Sequence, residues 1–218
     1  MLNPSFENGW TDINAGFSLI NQQPNDWTIT WLDVGEPLYA SSSDVANGIP
    51  EIVHKLASQL PPNEQLGGPD ALILDGTHVF KLFHAQASFG ATLSQRVLNL
   101  EPDTRGNVVV PVNVHRHGAT DPWGAEVGVF VNGSGQWFNS VLTDKEWDFL
   151  SVDFDVDGNG EAMVDIYFKS KWNSPKDFFV DDIRFTATPG SPPVDPPPGE
   201  QELTVDIPSW ATKVVFKE

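Results

Sequence analysis

Apolar and polar residues alternate along much of the chain between residues 77 and 187. Val108, Val110, Val112 and Val114 are interleaved with Asn107, Val109, Pro111, Asn113 and His115. Leu150, Val152, Phe154 and Val156 alternate with Ser151, Asp153 and Asp155, and Val164, Ile166 and Phe168 with Asp165, Tyr167 and Lys169. Successive side chains of a strand point to opposite faces, so each run predicts a strand with one buried and one wet face. Strands are predicted over 77–84, 90–98, 107–116, 125–132, 136–142, 147–156, 161–169 and 178–187. Earlier in the chain, Trp27, Ile29 and Trp31 share one face of a further strand, behind an Asn25-Asp26 turn signal. About nine short strands separated by turn residues predict an all-β fold, an antiparallel β-sandwich of jelly-roll type.

The pattern changes over residues 37–76. Ser41-Ser42-Ser43 and Asn47-Gly48 are loop-like, but Ile52, Val53, Leu56, Ala57 and Leu60 recur at helical spacing. With Pro50 ahead and Pro61-Pro62 behind, that spacing predicts a short helix over 50–60, an insertion lying on the sandwich. Residues 1–188 therefore form one domain. Residues 189–200 (PGSPPVDPPPGE) are a semi-rigid Pro-rich linker. Residues 201–218 hold two strand-like runs too short to fold alone, which read either as the start of a further domain or as strands packing back on the first.

The stretch Phe178-Phe179-Val180-Asp181-Asp182-Ile183-Arg184-Phe185 places two carboxylates in the middle of a strand-like run. If Phe179, Ile183 and Phe185 face the core, Asp181 does too, and an inward carboxylate needs a cation or hydrogen bonds. Asn3-Pro4-Ser5-Phe6-Glu7-Asn8-Gly9 at the other end is a candidate partner, so the first and last strands are expected to meet with a calcium ion between them.

Composition narrows the chemistry. The formal charge of −18, without a Lys/Arg cluster, sets nucleic acid aside and favours solubility and divalent cations. The absence of cysteine excludes disulfides, thiolate metal sites and cysteine nucleophiles. No apolar run approaches the roughly 18 residues of a membrane span. No signal peptide precedes Asn3, and Met1-Leu2 reads as the cut edge of a longer chain, so native targeting is not legible.

Several motifs then stand in a particular order: NPSFENGW at 3–10, NDW at 25–27, FGATLSQRV at 89–97, LNLEPD at 98–103, WDFLSVDFDV at 147–156 and FFVDDIRF at 178–185. This series resembles the family 4, 9 and 22 carbohydrate-binding modules, galactose-binding-like β-sandwich jelly rolls, over nearly all of residues 2–187 except 37–76. The resemblance implies a non-catalytic module, extracellular and joined to a glycoside hydrolase or similar enzyme. It implies a structural calcium held by Glu7 and Asp181, with Asp182 as a possible second acid and backbone carbonyls completing the shell. It also implies that Trp10, Trp27 and Trp147 are core residues.

Sugars offer apolar C–H faces and polar rims, so a binding site needs an exposed aromatic platform with hydrogen-bonding neighbours. Trp31, Trp123, Trp137 and Trp172 remain as candidate platforms, Trp123 and Trp172 in loop contexts. His115, Arg116, His117, Asn113, Tyr167, Asp165 and Gln136 are candidate polar contacts on outward faces.

Rival chemistries leave weaker traces. Asp153, Asp155 and Asp157 with Gly158 imitate the start of an EF-hand loop, but Val164 stands where a bidentate Glu is required, so the run reads as a wet strand face entering a hairpin turn. His115 and His117 form a metal pair only with a third ligand such as Glu126 or His84. No carboxylate spacing singles out a glycosidase, the signatures that accompany Tyr167-Phe168-Lys169 in polysaccharide lyases are missing, and no G-x-S-x-G supports a serine triad. The expected function is a module that binds an oligosaccharide or polysaccharide and concentrates an attached enzyme on it. The alternatives are an adhesion or assembly module of a cell-surface or phage-tail protein, favoured by a flat apolar patch around 37–76, and, last, a metal-dependent jelly-roll enzyme.

Overall fold

The structure, a computed structural model, describes residues 1–13, 21–40, 43–121, 124–171 and 176–190. Its strands are β1 (Trp10–Ile13), β2 (Asn21–Pro24), β3 (Thr28–Trp31), β4 (Glu51–Leu56), β5 (His78–His84), β6 (Phe89–Val97), β7 (Arg105–His115), β8 (Ala125–Val131), β9 (Ser134–Phe138), β10 (Trp147–Asp155), β11 (Ala162–Ser170), β12 (Lys176–Val180) and β13 (Arg184–Thr186). They form two sheets. One is eight-stranded, in the order β1-β2-β4-β5-β12-β7-β10 with β13 also on β7, and the other five-stranded, in the order β3-β6-β11-β8-β9. Pairing is antiparallel except for the brief β2–β4 contact at Asn21 and Ile52. This is the predicted all-β sandwich.

The core lies between the sheets. Val108, Val110, Val112 and Val114 of β7 face Val164, Ile166 and Phe168 of β11 across a layer that includes fully buried Phe6, Phe80, Phe89 and Phe178. Burying one such ring contributes about 1.5–3 kcal/mol. The opening segment closes one part of this layer: Phe6 is completely buried, and the Trp27 indole N–H donates to the Asn3 carbonyl at 3.0 Å. Trp27 is a core residue as expected, and Trp10 is half-buried against the same cluster.

Residues 50–60 are not a helix. Glu51–Leu56 is β4, paired with β5 from Glu51–Phe83 to Leu56–His78. Only Ala57–Gln59 and Pro62–Glu64 make single 3₁₀ turns. The misreading has a physical cause. Ile52 faces the main core while Val53 is also buried, on the opposite face, and a strand buried on both sides loses the period-two signal. On the same outer side, the neighbouring strands β5 and β12 are covered by the 57–77 segment. Leu72 and Ile73 pack on Val79 and Phe179, with Ala57, Leu60 and Trp147 at the margin, as a second apolar cluster on the outside of the eight-stranded sheet. Trp147, expected in the main core, belongs here, its indole N–H bound to the Ala71 carbonyl at 2.6 Å.

The last predicted strand is two strands. Between β12 and β13 the chain breaks at Asp181–Ile183, with Asp182 at φ +50°. The β7 register places Val110 and Pro111 opposite that break, and a proline has no N–H to give a ladder. Phe178 and Val180 face the main core, whereas Phe179 faces the covered outer side. The 153–160 run is also not a hairpin within one sheet: its turn carries the chain from β10 in one sheet to β11 in the other. Pro189 bridges to Leu100. The rest of the expected linker, from 191 on, and the 201–218 extension lie outside the described residues.

Candidate functional site

The outward face of the five-stranded sheet is built row by row from its register. Thr30, Thr92, Tyr167, Gly128 and Trp137 stand side by side on β3, β6, β11, β8 and β9. Beside them runs the row Gly90, Lys169 and Glu126, and on the other side Ser94, Asp165 and Phe130. The gap at Gly128 is essential to the arrangement. A Cβ there would lie 3.0 Å from the Phe130 ring and 3.1 Å from the Trp137 indole, so a side chain at this position would press on both rings, and glycine leaves room for the indole to lie across the sheet. Trp137 then meets Tyr167 at 5.6 Å and Phe130 at 5.8 Å between ring centroids, and stays 39% exposed.

A loop after β3 forms one wall. It crosses itself at the Pro37–Val45 bridge and carries Tyr39 over the sheet to Glu126. The Tyr39 hydroxyl donates to one oxygen of buried Glu126, and the Asn139 amide to the other at 3.2 Å. Burial first, then the Glu126 charge, raise the Tyr39 pKa well above its usual value, so the phenol remains a donor. Lys169 lies between two rings, its Nζ 4.3 Å from the Tyr39 centroid and 4.1 Å from that of Trp137. Burial holds its pKa below the usual lysine value. Between wall and sheet is a cavity of about 240 Å³ whose lining includes Trp31, Thr92, Trp137, Tyr167 and Lys169.

The structure thus brings together Trp137 and Tyr167 of the predicted contacts, with Asp165 in the next row. Trp31 pairs with Ala91 in the row that faces inward, packs against the core, and still lines the cavity. Gln136 pairs with Val129 and so points away from the face that carries Trp137. Trp123 and Trp172 lie outside the described residues. His115 ends β7 on the other sheet, and Arg116 and His117 follow it in the loop. Arg116 is buried, its guanidinium donating to the carbonyls of Asp121 and Leu142 at 3.0 and 2.9 Å, a structural tie across loops. His117 meets Asp177 at 3.2 Å, Lys81 holds the same carboxylate at 3.3 Å, and His115 stacks on Phe179 at 4.9 Å. Asn113 is buried beside them.

Sequence reasoning passed over Lys169, Tyr39, Thr30 and Thr92, and weighed Glu126 only as a metal ligand. Lys169 was within reach of parity, being two residues from Tyr167 on the same strand face. Tyr39 was not, because nothing local says that a loop residue crosses the sheet.

Glu7 and Asp181 do converge on one segment, residues 74–78. Asp181 is fully buried, and accepts from the backbone N–H groups of Leu74 at 2.7 Å, Asp75 at 3.0 Å and Asp182 at 2.8 Å. Burial pushes its pKa up to about 7 against the pull of those three donors. Glu7 accepts from the N–H groups of Thr77 and His78 at 2.7 and 2.6 Å, from the Thr77 hydroxyl at 2.9 Å, and pairs with His78 Nδ1 at 2.8 Å. Burial alone would raise the Glu7 pKa, but the Thr77 and His78 donors outweigh it and hold it low. Asp182 turns to Arg184 at 2.7 Å. The opening segment and the break after β12 do meet, Ile183 N–H donating to the Pro4 carbonyl at 3.1 Å. Calcium wants about six to eight oxygen ligands. Here both carboxylates face N–H and O–H donors, and no group of three or more His, Asp or Glu among the described residues is gathered to hold an ion. This donor set does not fit calcium; it fits two carboxylates anchoring the 74–78 segment. The same observation covers the His115–His117 pair. Asp153 and Asp155 lie exposed on β10.

No family model matches the chain, and no curated protein matches it. Solved structures do. The family 61 module TmCBM61, determined in complex with β-1,4-galactotriose, matches with a TM-score of 0.51 and 13% identity over 86% of this chain and 97% of its own. The CBM22-1 xylan-binding domain of Xyn10C from Paenibacillus barcinonensis matches at 0.41 with 14% identity, over 86% of this chain and 93% of its own. A cyclase from Fischerella sp. TAU, in complex with 4-(1H-indol-3-yl)butan-2-one, matches at 0.48 with 15% identity, over 88% and 98%. At such identities the likeness is one of fold alone, and the match to TmCBM61 carries it: the chain shares the β-sandwich fold of that module.

Proposed function

We propose that this chain is a non-catalytic carbohydrate-binding module and that its binding face is the outer side of the five-stranded sheet. The observation that supports this most is the Trp137 indole, laid across Gly128 beside Tyr167 and left partly exposed over a cavity. An indole so placed offers a stacking surface to the C–H face of a pyranose ring. Thr30, Thr92 and Lys169 supply hydroxyl and ammonium groups at its margin for the ring hydroxyls. The wall from Tyr39 to Glu126 is held by hydrogen bonds within the protein, so the site is organised before a ligand arrives. Binding there would concentrate an enzyme joined to the module on its polysaccharide, outside the cell.

An adhesion role would be favoured by an apolar patch around residues 37–76. Leu60, Leu72 and Ile73 instead turn inward to Phe179 and Trp147, which leaves that segment with a packing task. Among the described residues no helix is long and apolar enough to cross a membrane.

The test is retention on a panel of soluble and insoluble polysaccharides, with release of reducing sugar followed in the same tubes. Retention without release, lost in Trp137→Ala, is the expected result. Release of sugar, or retention indifferent to Trp137, would overturn it.

A further inference from the structure

The binding face contains a cation that no anion hydrogen-bonds among the described residues, although the Glu126 charge lies near it. Lys169 is half-buried on β11, wedged between the rings of Tyr39 and Trp137. Its ammonium carries up to three N–H donors, and among the described residues no hydrogen-bond acceptor or ion-pair partner takes them. An obvious partner stands next to it. Glu126 is its cross-strand neighbour, but both Glu126 oxygens are already engaged by Tyr39 and Asn139. The next lysine along, Lys171, is by contrast paired with Asp44 at 3.1 Å. The rings exclude water from the sides of the Lys169 ammonium, and aromatic faces replace only part of the hydration that a buried charge gives up. Its lowered pKa is the expected mark of that shortage.

Resting on the reading of this face as the glycan site, we propose that Lys169 is its specificity-determining residue and that the ligand is a neutral glycan bearing an occasional uronic acid. The uronate carboxylate would accept from Lys169 while a neighbouring ring stacks on Trp137. One ammonium with N–H donors unclaimed by any described residue suits one carboxylate. The chain's charge of −18 disfavours a polyuronate, since a continuous polyanion would meet repulsion along its length. A single carboxylate in contact with Lys169 escapes most of it, because at physiological salt charges beyond about 8 Å are largely screened.

The experiment compares each glycan with its own carboxyl-reduced form, which exchanges the carboxylate for a hydroxymethyl group and leaves the linkages intact. The panel contains glucuronoxylan and an acidic arabinogalactan, whose uronic acids are scattered, and polygalacturonate, where they are continuous. Affinities are measured by calorimetry at about 0.15 M salt. The expected result is that a sparsely acidic glycan binds at least about tenfold more tightly than its reduced form, as a charge-assisted hydrogen bond implies. Lys169→Met, which keeps the bulk and removes the charge, brings that ratio to about one while leaving the melting temperature unchanged. Lys169→Arg retains the preference. Equal binding of acidic and reduced forms, both abolished by Trp137→Ala, overturns the role of Lys169 and leaves the binding face standing. A loss in Lys169→Met that is the same for both forms makes the residue a structural wedge and also overturns it. Tightest binding to polygalacturonate overturns the sparse-uronate ligand. No binding to any member in either form overturns the glycan reading itself.

Discussion

The two outer faces of the sandwich begin from the same kind of strand and end as opposites. On the eight-stranded sheet the outward row contains Val53, Lys81, Phe179, Asn113 and Trp147. On the five-stranded sheet it contains Thr30, Thr92, Tyr167, Gly128 and Trp137. Both rows mix aromatic and polar residues. The first is roofed by residues 57–77, which drive Leu72 and Ile73 onto Phe179 and draw the Trp147 indole to the Ala71 carbonyl. The second is flanked but not roofed, so Trp137 keeps an exposed surface. The lesson is that an outward aromatic on a sheet has no fixed role. It becomes core where chain covers it and a platform where chain stops short.

The largest effect expected from breaking this contrast lies under the roof. Phe179→Ala should cost about 3–5 kcal/mol of stability, as for other buried rings, seen as a large fall in melting temperature. Below that temperature its glycan affinity should be that of the parent. A cost under about 1 kcal/mol would mean that the roofed face is not a core at all.

On the open face the balance reverses. Trp137→Ala should lose about 2–4 kcal/mol of binding, the scale of an interfacial hot spot, or roughly 30- to 1000-fold in affinity. Its melting temperature should move little. Titration calorimetry and thermal unfolding on the same sample separate the two readouts.

The anchoring of the roof can be probed next. Asp181→Ala leaves the N–H groups of Leu74 and Asp75 without their acceptor, at a cost of about 1–3 kcal/mol. Treating the parent protein with a chelator should leave its melting temperature unchanged. A fall that added calcium reverses would return Glu7 and Asp181 to the role of cation ligands.

The smallest effect concerns the roofed face in acid. Burial holds the pKa of His115 below 6.5. The unfolded chain therefore takes up that proton first, so the stability His115 contributes is present above about 6.5 and is lost as pH falls through its folded value. Asp181 works in the opposite sense: with its pKa raised from 3.8 to about 7, its share is present at low pH and lost as pH rises through about 7. Comparing His115→Gln with the parent cancels the Asp181 contribution. The variant should lose less stability between pH 7.5 and 5 than the parent does, and glycan affinity should be the same in both. A variant with weakened binding would tie the histidines of the roofed face to the ligand.

Parts of this picture were legible in the residues alone. Strands with one wet face announced themselves, because β11 and most of β10 keep strict alternation. β4 did not, since its buried residues Ile52 and Val53 stand on opposite faces and its apolar spacing then imitates a helix. The importance of Asp181 was visible as an acid that has no place in a buried strand, and that of Glu7 from the motif that carries the family resemblance. Their partners were not, because the donors that neutralise them come from residues 74–78, about a hundred positions from Asp181. The prediction that Asp181 shares the face of Ile183 failed on a backbone break at Asp182, opposite a proline in β7.

Alternation, turn residues and aromatic load by themselves determined that this protein is a β-sandwich, because the period of two is a property of the extended backbone and needs no partner to be read. They also placed Tyr167 on an outward surface. Only the tertiary structure decided which outward surface stays open. Coverage by residues 57–77 and the reach of Tyr39 across to Glu126 are contacts between distant segments, and burial, desolvation and hydrogen-bond partnership arise from such contacts rather than from any residue's own pattern.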